Sequence, residues 1–104
     1  MTSRKRGYMT KLPVSNTHGW LHRARSRYMV LRPDSLKWAS SAQSETWLGE
    51  LPLTPYTTSV NDNDKVFISN GREQLVMCEI MLGDAAIWCT AINAAIYPSA
   101  AHAG

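Results

Sequence analysis

The hydrophobic pattern of this 104-residue chain changes period once, near Gly83. Before that point, short segments alternate apolar and polar residues and are separated by Pro, Gly, Asn and Asp, the mark of half-buried antiparallel strands. After it, Trp88, Ala91, Ile92, Ala95 and Ile96 recur at i, i+3, i+4, i+7 and i+8, which is one apolar helical stripe. A chain ordered this way is expected to build a mainly β domain closed at one end by a C-terminal amphipathic helix.

The strands are expected at Gly7–Leu12, Arg25–Arg32, Leu36–Ala39, Trp47–Leu53, Thr54–Val60, Val66–Ser69 and Glu73–Ile80. Pro13 to Arg23 forms a loop, Pro33-Asp34 a turn, and Ser40 to Ser44 a polar break. Asn61 to Asp64 makes another turn, and Asn70-Gly71 is a tight-hairpin signal. Pro55 weakens the start of the fifth strand. Asp84 is the expected helix N-cap, because its carboxylate can accept first-turn amide protons, and Pro98 stops the helix.

A chain of this length supports one compact core, expected over residues 5–97, with residues 1–4 and 98–104 as flanking tails. Its 44% hydrophobic and 18% charged composition is that of a globular protein. No run is long enough to span a bilayer, and the N-terminus lacks a signal-peptide core. Cys78 and Cys89 sit in apolar segments and are expected as buried free thiols, which suits a cytoplasmic protein. The three histidines do not stand at metal-ligand spacings with them, and Asp62 and Asp64 lack the spacing and final glutamate of a calcium loop, so neither metal nor cofactor is expected. No nucleophile motif or phosphate-cradling glycine loop supports an enzyme.

Charge is divided unevenly. Eight of the eleven basic residues precede the first acidic residue, Asp34, so residues 1–33 carry a formal +8 and the rest −5. Lys11 closes the first strand and Arg25-Ser26-Arg27 opens the second. Alternation puts Met9 and Lys11 on one face, and Arg25, Arg27, Met29 and Leu31 on one face. Antiparallel pairing then creates a basic mouth with an apolar floor. Arginine grips phosphate with paired donors and lysine acts as a point charge, and each hydrogen bond to a charged group contributes about 1.5–3 kcal/mol.

Several local patterns point to a family. Gly7-Tyr8-Met9-Thr10-Lys11 resembles the first strand of the pleckstrin homology (PH) domain, and Arg25-Ser26-Arg27-Tyr28-Met29-Val30-Leu31 its second. Gly49-Glu50-Leu51-Pro52-Leu53 is similar to its fourth strand, and Trp88 stands where that family's closing helix carries a single tryptophan. The resemblance implies a seven-stranded antiparallel sandwich of two near-orthogonal sheets, capped by the helix. It also implies a ligand corner rimmed by the loops between strands 1–2, 3–4 and 6–7. Lys11, the loop, and Arg25-x-Arg27 resemble the signature of PH domains that recognise 3-phosphorylated inositides. Lys37 is similar in placement to a basic residue that often completes that pocket, and Arg23 and His22 support it from the loop.

The function expected on these grounds is phosphoinositide binding that recruits a parent protein to anionic membranes, where it sits peripherally. Trp20, Leu21 and Val14 either insert into the lipid interface or, for Trp20, fold back onto the barrel. Trp38 and Trp47 are expected to pack on the sheet, and Trp88 in the core. The alternative is a PH-like protein-interaction module using a sheet edge or the groove beside the helix. Nucleic acid is not expected as a partner, because the sheet lacks an evident aromatic cluster on its polar face and the later half is acidic. The isolated domain is expected to be monomeric.

Overall fold

Seven strands and one helix follow the order foreseen in a computed structural model that describes residues 5–13 and 24–97. The strands are β1 (Lys5–Leu12), β2 (Arg25–Leu31), β3 (Ser35–Ala39), β4 (Gly49–Pro52), β5 (Thr58–Asp62), β6 (Lys65–Ser69) and β7 (Gln74–Cys78). The helix α1 spans Asp84–Ile96. All the strands join one antiparallel sheet in the order β4-β3-β2-β1-β7-β6-β5. The two sheets implied by the family resemblance are therefore continuous through β1. This strand pairs with β2 from Lys5↔Leu31 to Lys11↔Arg25, and with β7 through Thr10, Lys11 and Leu12.

The core gathers Met9, Met29, Leu31, Leu36, Leu51, Val66, Ile68, Leu75 and Met77 from the strands. Helix α1 covers it with Ala85, Trp88, Cys89 and Ile92, while Ala91, Ala95 and Ile96 pack at its margin. The helix is held to β5 by polar contacts as well: Asn93 Nδ2 donates to the Ser59 carbonyl at 3.4 Å. Tyr97 Oη donates to the Thr57 carbonyl at 3.5 Å. Asn70 is buried and fully engaged. Its Oδ1 accepts from the amides of Arg72 and Glu73 at 2.9 and 2.8 Å, and its Nδ2 donates to the Pro52 carbonyl at 3.0 Å. It thereby shapes the β6–β7 turn and ties it to the end of β4.

Most element ends shift by a residue or two from the sequence expectation, and at four of them the structure gives a local account. Strand β5 starts at Thr58, because Thr54 to Thr57 close a turn through their own side chains. The Thr54 amide donates to Thr57 Oγ1 at 2.7 Å, and the Tyr56 amide to Thr54 Oγ1 at 3.1 Å. Trp47 and Leu48 precede β4 and are exposed, so Trp47 does not pack in the sheet interior. Strand β7 ends at Cys78, whose thiol is half-buried and donates to Asp64 Oδ2 at 3.4 Å; only Cys89 of the two thiols is buried. Asp84 is the first helical residue and does not cap. The N-cap is Gly83, whose φ of 93° lies in the left-handed region that favours glycine. Its lack of a side chain is made good by Glu79. One carboxylate oxygen of Glu79 accepts from the Gly83 amide and the other from the Ala85 amide, both at 3.1 Å.

Removing that carboxylate strips α1 of its capping acceptor and of a negative charge at its positive end. Glu79→Ala is expected to lower stability by about 1–2 kcal/mol in urea unfolding. Asp84→Ala, which breaks no described hydrogen bond, is expected to cost less.

Candidate functional site

The β1–β2 register settles which side chains meet. Lys11 stands directly opposite Arg25, and Met9 opposite Arg27. Directly opposed residues share a face, so Lys11, Arg25 and Arg27 project with Met9, Met29 and Leu31. Burial is graded along this face: Met9 and Met29 are buried, Lys11 and Arg27 are half-buried, and Arg25 is exposed. The apolar interior thus runs out into three cations where the strands meet the β1–β2 loop.

These cations repel one another. Like charges placed directly across a sheet are destabilising, yet among the described residues no carboxylate pairs with Lys11, Arg25 or Arg27. The Lys11 ammonium is held below the ordinary lysine range, first by burial and then by the charge of Arg27. Its stabilising contact is the Trp38 ring, with Nζ 5.5 Å from the centroid. Arg27 spends one donor on the Ser26 carbonyl at 3.2 Å. Such a cluster, short of negative charge and resting on an indole, leaves a concentrated positive field at this end of the hairpin.

Trp38 is the residue that the sequence reading undervalued. It pairs with Met29 on one side and Gly49 on the other, at the inner face where the cations emerge. Gly49 makes room for it, since a Cβ there would collide with the indole. The strand alternation Leu36-x-Trp38 was the available signal.

The same alternation removes Lys37 from the clamp. With Leu36 and Trp38 inward, Lys37 points outward opposite Val30, where it meets Glu50 at 3.9 Å and lies 5.5 Å from the Trp47 ring centroid. Arg32 approaches the same ring at 5.8 Å. His22 and Arg23, and the loop residues Val14, Trp20 and Leu21, lie outside the described residues, as do both tails and Pro98.

The outward face also carries more aromatic surface than expected. Tyr8 and Tyr28, cross-strand partners, meet edge to face with centroids 5.2 Å apart, and Trp47 lies on the β3–β4 connection. These rings are already engaged: the Tyr8 hydroxyl accepts from the Ala42 amide at 3.0 Å, and Trp47 is met by two cations.

A seven-stranded antiparallel sheet closed by one C-terminal helix, with a cationic hairpin mouth, is the pleckstrin homology fold, and the chain has that fold. It is similar to the PH domain of human oxysterol binding protein-related protein 11, with a TM-score of 0.73 and 16% identity, over 97% of this chain and 86% of that one. It is similar to the carboxyl-terminal PH domain of pleckstrin at 23% identity and a TM-score of 0.69, over 88% of this chain and 95% of that one. The same pleckstrin domain in complex with D-myo-Ins(1,2,3,4,5)P5 matches with a TM-score of 0.72 at 20% identity, over the same 88% and 95%. Neither a protein-family model nor a curated protein matches the sequence.

Because the Lys11 proton is bound less firmly in the folded chain than in the unfolded one, stability rises as pH climbs from its lowered pKa toward 10.5. Lys11→Met is expected to abolish that part of the slope and to raise the urea midpoint at neutral pH. Parallel urea titrations of both proteins from neutral to alkaline pH measure it.

Proposed function

We propose that this PH domain holds the phosphates of a phosphoinositide headgroup and so docks its parent protein peripherally on anionic intracellular membranes. The observation that carries the reading is the set of Lys11, Arg25 and Arg27 on one face, unpaired with carboxylates among the described residues and backed by Trp38. Arg25 and Arg27 supply forked donors, and Lys11 supplies a partly desolvated charge that a bound phosphate stabilises. Arg23 and His22 add donors from the loop, and Trp20, Leu21 and Val14 form its membrane-contact part. Lys37 is left out, being occupied on the other face.

Two further points support the reading. The fold is one that, in pleckstrin, is found in complex with an inositol pentakisphosphate. The described part has no helix long and apolar enough to cross a membrane, and peripheral docking needs none.

Liposome sedimentation tests the proposal, with a panel of phosphoinositides set against phosphatidylserine alone. Wild type is expected to prefer at least one phosphoinositide. Arg27→Ala should weaken that binding about tenfold or more, the effect of losing a charge-assisted hydrogen bond. Lys37→Ala, altering the outward face, should leave the preference intact. Equal sedimentation of wild type and Arg27→Ala with every liposome would reduce the mouth to diffuse attraction and overturn the reading.

A further inference from the structure

Between β7 and α1, three consecutive large apolar side chains stand in water. Ile80, Met81 and Leu82 are 49, 67 and 99% exposed, and Ile87, in the first turn of α1, is 55% exposed. Connections between elements are ordinarily polar, and a contiguous apolar patch on a small domain marks an interaction surface. Nothing in the fold asks for these residues, because helix capping is done by Glu79 and core closure by Ala85, Trp88 and Ile92.

The patch has a shape and a charge. Leu82 forms one wall of an open cleft of about 500 Å³, completed by Asn63, Asp64, Glu79, Gly83 and Ala86. Asp64 from the β5–β6 turn and Glu79 from the β7–α1 connection line the cleft, and Asp62 and Asp84 stand beside these segments in the chain. Against those four carboxylates, the segments 62–65 and 79–87 hold one cation, Lys65, which bonds Asp64 at 3.1 Å. The Glu79 carboxylate is fixed in place by the hydrogen bonds it accepts from the Gly83 and Ala85 amides. The cleft is also separate from the basic mouth. Strand β7 pairs Val76 with Leu12 and Cys78 with Thr10, so it leaves the β1–β2 loop behind as it approaches the patch.

We infer that the apolar residues Ile80, Met81, Leu82 and Ile87, with their acidic cleft, dock a cationic amphipathic segment of a protein partner. One large apolar side chain of that segment enters beside Leu82, and flanking Lys or Arg residues reach the carboxylates of the rim. Charge decides among the occupants. A second copy meeting this face with its own would set carboxylate against carboxylate, and an anionic leaflet is repelled by the same rim. The site is independent of the mouth, so the domain can hold an anion at one place and a protein segment at the other.

Nuclear magnetic resonance titration of the whole 104-residue chain with synthetic peptides tests this. The probes are a leucine–lysine amphipathic helix, a leucine–glutamate peptide with the same apolar positions, and a serine–lysine peptide with the same charge. The leucine–lysine peptide alone is expected to shift amides at residues 63–64 and 79–87. The double variant Met81→Ser/Leu82→Ser should bind it at least about tenfold more weakly. Because both side chains are exposed, the core resonances of the variant should stay in place. The proposal is overturned by equal binding of the two lysine peptides, by shifts confined to the β1–β2 mouth, or by no binding of any peptide. Self-association of wild type that the double variant abolishes would assign the patch to a second copy and overturn it as well.

Discussion

The pairing of β1 with β2 over its full length, from Lys5↔Leu31 to Lys11↔Arg25, governs both the packing and the chemistry of this domain. It sends Met9, Met29 and Leu31 inward and, by the same alternation, carries Lys11, Arg25 and Arg27 onto the inner face at its open end. A slip of one residue would put the cations on the other side and expose the methionines. The apolar interior is therefore what specifies the geometry of the cation cluster: the core and the mouth cannot be varied separately along these two strands.

That coupling explains the energetics of the mouth. The half-buried Lys11 loses hydration and gains a like charge beside it, offset by an indole face and by no carboxylate among the described residues. The folded state carries this strain. Repulsion within the cluster is thus a cost that the strand register itself imposes on the fold. On the outer face the reverse holds. Lys37 has Glu50 and the Trp47 ring, and its charge is spent within the domain.

Much of this was legible in the residue pattern, and the failures are instructive. Period-two alternation and the helical stripe give the order of elements, and the Asn70-Gly71 turn appears where expected, with Asn70 supplying the turn hydrogen bonds. The start of β5 was not legible, since it depends on Thr54 and Thr57 capturing each other's backbone. The helix cap was missed because its carboxylate comes from Glu79, four residues before Gly83, and not from the adjacent Asp84. Lys37 was misplaced by following family position over alternation: Leu36 and Trp38 already assigned it outward. The Tyr8–Tyr28 pair becomes visible only once the register is known.

The sheet ends at β4 and β5, whose outer edges form no ladder with each other. What bridges toward that gap from the β6–β7 turn is one amide, Asn70 Nδ2 on the Pro52 carbonyl. The barrel is thus a rolled ribbon with a stitched seam. That stitch is a single neutral hydrogen bond, worth about 1 kcal/mol, set beside the apolar core that Leu51, Ile68 and Leu75 share. The hairpin that carries the cations lies in the middle of that ribbon, away from the stitch.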